Sequence, residues 1–165
     1  MLFTIGTSNR SLPEFLAELQ KRSITTLIDV RSSPYSRLPW FNANQIEKWS
    51  EQAGMFYRRE GAALGGRTEI QPDDRNYQQA LDRVLASTAR EPTVIFCAEG
   101  DPAQCHRTWE VAAALLVQHG VMAKSILRDG REEDVILTLG RVSLGKIREP
   151  LRQKMRPNMQ SFNPR

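Results

Sequence analysis

Short apolar runs alternate along this chain with stretches whose apolar residues recur at helical spacing, and that alternation restricts the fold more than any other feature. Leu2 to Ile5 reads as a strand. The segment SLPEFLAELQKR follows, with Ser11 as N-cap, Glu14 three residues on to close a capping box, and Phe15, Leu16 and Leu19 on one face. TTLIDV is β-branched and has the character of a buried strand. After the loop RSSPYSRLPWFN, a helix is expected from Ala43 to Gln52, ended by Gly54, and then a strand from Met55 to Arg58. A glycine-containing loop leads to a helix from Tyr77 to Thr88 and the strand TVIFC. The helix CHRTWEVAAALLVQH stops at Gly120, and a strand from Ala123 to Leu127 and a last helix from Glu132 to Leu139 complete the pattern. Such repeated strand-to-helix alternation predicts the α/β class: one domain over residues 1–144, a mostly parallel five-stranded sheet with helices on both faces, a Rossmann-like three-layer sandwich.

Length and composition narrow the function classes. A chain of 165 residues buries a sufficient core without disulfide or metal staples. Its longest uncharged apolar run, Val111 to Ala123, is shorter than the roughly 20 residues that cross a bilayer, and the first ten residues lack a basic leader, so no membrane association and a cytoplasmic location are expected. The 2 cysteines suit a reducing compartment, with both thiols free. The net charge of +4 is uneven: residues 1–140 hold 16 Lys and Arg against 18 Asp and Glu, and residues 141–165 hold 7 against 1. Residues 145–165 read as a loosely ordered basic tail, a handle for nucleic acid or another polyanion.

In a parallel doubly wound sheet the segments that follow the strands collect at one edge, where ligands bind. Here those segments carry Ser8 and Asn9; Asp29, Arg31, Ser36, Arg37 and Phe41; Gly65, Gly66 and Arg67; and Cys97, Glu99, Asp101, Cys105, His106 and Arg107. Three chemistries compete for them. In the first, Asp29, Glu99 and His106 perform acid and base catalysis while Ser8, Asn9, Arg31, Ser36, Arg37, Phe41, Gly65, Gly66, Arg67 and Arg107 hold an anionic small molecule or nucleic acid, as in a hydrolase of a glycosidic or phosphoester bond. In the second, Cys97 or Cys105 is a nucleophile. In the third, the tail and the aromatic loop around Trp40 grip nucleic acid without chemistry. A metal is not expected, and no cofactor: Cys105 and His106 are adjacent instead of separated by the few residues that bring side chains to one ion, and an oxygen site from Asp29, Glu99 and Asp101 is the metal alternative that stays open.

The order IDVR after one strand and VIFC before a loop and helix is similar to that of rhodanese-like sulfurtransferases, although the loop after Cys97 is acidic and lacks their compact basic turn. Taken together, TIGTSNRSLPEFL, LIDVRSSPYSRLPWFN, ALGGR and FCAEGDPAQCHRTWEVAAAL closely resemble the family called domain of unknown function 488, over about residues 3 to 130. Thr7 departs from that pattern, which often has histidine there. The resemblance implies shared positions at Ser8, Asp29, Arg31, Ser36, Arg37, Phe41, Gly65, Gly66, Cys97, Glu99, Cys105, His106 and Arg107. It implies no settled reaction.

Overall fold

The computed structural model describes residues 1–8, 10–67 and 74–142. Asn9 and the basic tail therefore lie outside the described residues. The chain runs β1 (Leu2–Gly6), α1 (Leu12–Gln20), β2 (Thr26–Asp29), α2 (Ala43–Gln52), β3 (Phe56–Arg59), α3 (Gly61–Leu64), α4 (Arg75–Arg90), β4 (Thr93–Cys97), α5 (Ala113–His119), β5 (Ala123–Ile126), β6 (Glu132–Asp134) and α6 (Val135–Arg141). A 3-10 turn covers Pro39–Phe41 and another Pro102–Gln104, and Arg107–Ala112 is wound as a π-helix that runs into α5.

The expected α/β class holds, with one difference in the sheet. Its order is β3-β2-β4-β1-β5-β6, and β6 pairs antiparallel to β5. The expected helix start at Glu132 is thus a short sixth strand, and helix begins only at Val135. Acidic Glu132 and Glu133 have little strand propensity, but cations in neighbouring elements hold them: Glu132 accepts from Arg22 and Lys124, and Glu133 from Arg141 and the Thr138 hydroxyl. The short helix Gly61–Leu64, within a segment expected to be a loop, is the other difference.

The period of two along each strand divides the core. Phe3, Ile5, Leu27, Val94 and Phe96 pack with Phe15, Leu19, Ile46 and Trp49 of α1 and α2 on one face. Ile28, Val30, Ile95 and Cys97 pack with Ala80, Leu81, Val84, Val111 and Leu115 on the other. Burial of these runs on both faces is why β1, β2 and β4 read as near-continuous apolar stretches. The chain leaves β2 toward β3 at one edge, whereas it leaves β4 toward β5 on the other side of the sheet. Adjacent β2 and β4 therefore form a switch point at which the following segments diverge and open a crevice. No helix among the described residues is long and apolar enough to cross a membrane.

Candidate functional site

A cleft of about 560 Å³ lies at that switch point, lined chiefly by the segments after β2 and β4: Arg31, Ser32 and Ser33 from one, and Cys97, Glu99, Cys105 and His106 from the other. Strand parity decides which side chains meet across it. Asp29 and Arg31 turn toward the α1 and α2 face, where Arg31 lies 5.3 Å from the centroid of the Phe96 ring. Cys97 turns to the opposite face, toward the start of the π-helix.

On the first side Asp29 is fully buried and fully engaged. Arg31 donates to it from Nε at 2.8 Å, from Nη2 at 2.6 Å and from its own backbone N at 3.0 Å, and the Tyr57 hydroxyl donates at 2.8 Å. The third Arg31 nitrogen donates to the Phe41 carbonyl at 2.7 Å. Burial, then the Asp29 charge and hydrogen bond, push the Tyr57 phenol far up, so it stays a donor. Burial lowers the pKa of Arg31, but its hydrogen bonds and charge pairing with Asp29 outweigh that and raise it. The expectation of Asp29 as a base is corrected here: its oxygens are committed to holding Arg31.

On the second side three reactive groups converge. His106 Nδ1 lies 3.9 Å from Cys97 Sγ and 3.8 Å from Cys105 Sγ, and its Nε2 is 2.9 Å from the Val30 carbonyl, to which it donates. The three ligand atoms lie within 4.8 Å of one another, which corrects the expectation that adjacent Cys105 and His106 cannot converge with Cys97. They converge because Cys105 is still extended (φ −116°, ψ 135°) while His106 has entered the helix, so successive side chains do not diverge by a helical step. Cys105 ends the 3-10 turn just before the helix whose N-cap is His106, and its carbonyl accepts from Thr108 N at 3.0 Å. A thiol at a helix start feels the positive end of the dipole. The hydrogen bond to Cys105 and then burial push the Cys97 thiol up. The hydrogen bond from Cys97, then that from His106 and the Arg107 charge, draw Cys105 down. For His106, burial disfavours the imidazolium, but the hydrogen bond and charge of Cys105 outweigh it and the net shift is upward.

The supporting parts are equally specific. The His106 ring lies against Gly66, where an added Cβ would come within 2.6 Å of the imidazole. Gly61 is closer still, since a Cβ there would stand 1.8 Å from the Arg31 carbonyl. Gly65 and Gly66 are thus required by close packing of loop on loop, a role distinct from the expected anion cradle. Arg107, fully buried, donates to the carbonyls of Glu99 and Gly100 and fastens the loop after β4; it is not an anion clamp facing the cleft. Phe41 is core, edge-on to Phe15 at 5.1 Å, and Ser36 closes a turn by accepting from Leu38 N; neither is placed to touch a substrate. Ser8 packs against Gly100, and Arg37 is exposed on its loop; neither lines the cleft. Asp101 caps the 3-10 turn through Ala103 N. Arg31, Gly66, Arg67, Cys97, Glu99, Cys105 and His106 are the expected residues that line it, and Glu99 is the one carboxylate among the described lining residues.

Tyr57, which donates to Asp29, and Ser32 and Trp109, which line the cleft, are positions that the sequence reading did not single out. Tyr57 pairs in register with Leu27, so it shares a face with Asp29 two residues along β2; only the strand order reveals that. Trp109 lies three residues after His106, and its ring stands edge-on to the imidazole at 6.4 Å.

The model of a protein family described as Domain of unknown function DUF488 matches residues 11–79, so the family expected from the motifs is found over that segment. The match takes in Asp29, Arg31, Gly65 and Gly66 and stops short of Cys97, Cys105 and His106. No curated protein matches the chain.

Proposed function

We propose that this protein is a thiol enzyme acting on an anionic substrate in the cleft between the segments that follow β2 and β4. The observation that carries this reading is the meeting of Cys97, Cys105 and the Nδ1 of His106 at the wall of a cleft that Arg31 and Arg67 also line. Cys105 is the nucleophile: it stands just before the helix, and both the Cys97 S–H and the protonated Nδ1 of His106 are placed to hydrogen-bond a thiolate there. Attack forms a bond from Cys105 Sγ to an electrophilic atom of the substrate, and the departing group takes the Nδ1 proton of His106. Glu99 at the exposed rim serves as base for the group that later releases the product. Arg67, on the lining of the cleft, draws the anion in. The carboxylate-centred reading is weakened because Asp29 has no oxygen to spare.

Two alkylating reagents with the same leaving group, one anionic and one neutral, test this reading. Iodoacetate, an anion, is expected to label Cys105 at least fivefold faster relative to neutral iodoacetamide than it labels a small free thiol, and Arg67→Gln should remove most of that preference. Equal relative rates in the folded protein and the free thiol would contradict an anion-selecting thiol site.

A further inference from the structure

Two sulfurs and an imidazole nitrogen facing one point form a donor set that nucleophilic chemistry alone does not need. In a tetrahedral zinc site, Zn–S of about 2.3 Å and Zn–N of about 2.0–2.1 Å put a sulfur and a nitrogen about 3.6 Å apart. The two spacings here, 3.9 and 3.8 Å, exceed that by an amount that small side-chain rotations supply. Orientation is a second and independent observation. Nε2 of His106 donates to the Val30 carbonyl at 2.9 Å, the contact that ordinarily fixes a ligating imidazole with its other nitrogen turned to the ion. Gly66 against the ring blocks it from swinging away.

We propose that Cys97 Sγ, Cys105 Sγ and His106 Nδ1 bind one soft divalent cation of the zinc class, with a fourth position open to the cleft. Thiolate and imidazole donors select such an ion over magnesium or calcium, which take oxygen ligands. Three protein ligands leave one position, and all three line the cleft, so that position faces the space a substrate would enter. The site goes beyond the thiol reading and limits it: a thiolate that donates to the cation is a weaker nucleophile, so metal occupancy slows attack by Cys105.

Titration of the reduced, metal-free full chain with Co²⁺ tests the site. One equivalent should bind with a sulfur-to-cobalt charge-transfer band and the strong visible absorption of tetrahedral cobalt. Zn²⁺ should displace it and slow iodoacetate labelling of Cys105 at least tenfold. Cys105→Ser and His106→Gln should each weaken Co²⁺ binding at least tenfold, and His119→Gln, which alters the other histidine, should leave it unchanged. The wild-type charge-transfer band does not depend on whether a variant folds. Weak octahedral absorption, or binding that survives Cys105→Ser, would overturn the metal site. In that event iodoacetate-selective labelling of Cys105 would still uphold the thiol reading, while its absence as well would mean that both have failed.

Discussion

Asp29 shows how a catalytic-looking residue becomes a positioning one. Asp and Arg two apart at a strand end suggest a base beside an anion clamp, but both carboxylate oxygens are filled by Arg31 and Tyr57 in a fully buried setting. Removing one partner of a buried ion pair strands the other, at a cost of about 3–5 kcal/mol. Asp29→Asn is therefore expected to lower unfolding free energy in urea by about that amount, and Tyr57→Phe, which deletes a single hydrogen bond to a charged group, by about 1.5–3 kcal/mol. An Asp29→Asn protein of unchanged stability would show that the network is dispensable. His106, expected to act in acid and base catalysis, has both ring nitrogens engaged, one tied to the Val30 carbonyl and the other directed at two sulfurs.

Among the elements, the start of α1 was readable to the residue. Ser11 N donates to Glu14 Oε2 at 2.7 Å, and Glu14 N donates to the Ser11 hydroxyl at 3.3 Å, the reciprocal pair expected from their spacing. Backbone and hydroxyl bonds from Ser11, then Arg128, hold the Glu14 carboxyl at about 2, against 4.5 for the unperturbed group. A carboxyl with a depressed folded-state pKa stabilises the native state fully above pH 4.5, and that contribution is lost as the pH falls through about 2. Ser11→Ala should cost about 1 kcal/mol near neutral pH, and the difference between variant and wild type, followed by urea unfolding, should shrink below pH 4. A pH-independent difference would mean that Glu14 takes no part in the cap. The helix after β4 was legible in its limits, ending at Gly120 with φ 67°, but its π-helical first turns were not. No residue type marks a π turn, and such turns occur often at functional sites. Short β6 was missed for a related reason: its pairing depends on cations from distant elements, which periodicity does not register.

For the whole molecule, class, strand sequence and the edge that carries the site followed from hydrophobic periodicity, because buried parallel strands must be apolar throughout and the helices between them must be amphipathic. Which residues meet at that edge did not follow. Strand order and strand parity separate Asp29 from His106 and bring Cys97 to it, and both are set by long-range pairing. Adjacent Cys105 and His106 converge only because the backbone changes conformation between them. The proposed centre is the thiol pair at the β2–β4 switch point, and site-resolved alkylation by peptide mass spectrometry tests it directly. With the folded, reduced and metal-free chain, the expected result is an adduct on Cys105 that forms faster than on Cys97 and faster than on either cysteine of the urea-unfolded chain. Both cysteines slower in the folded chain than in the unfolded one would contradict a thiol nucleophile in this cleft.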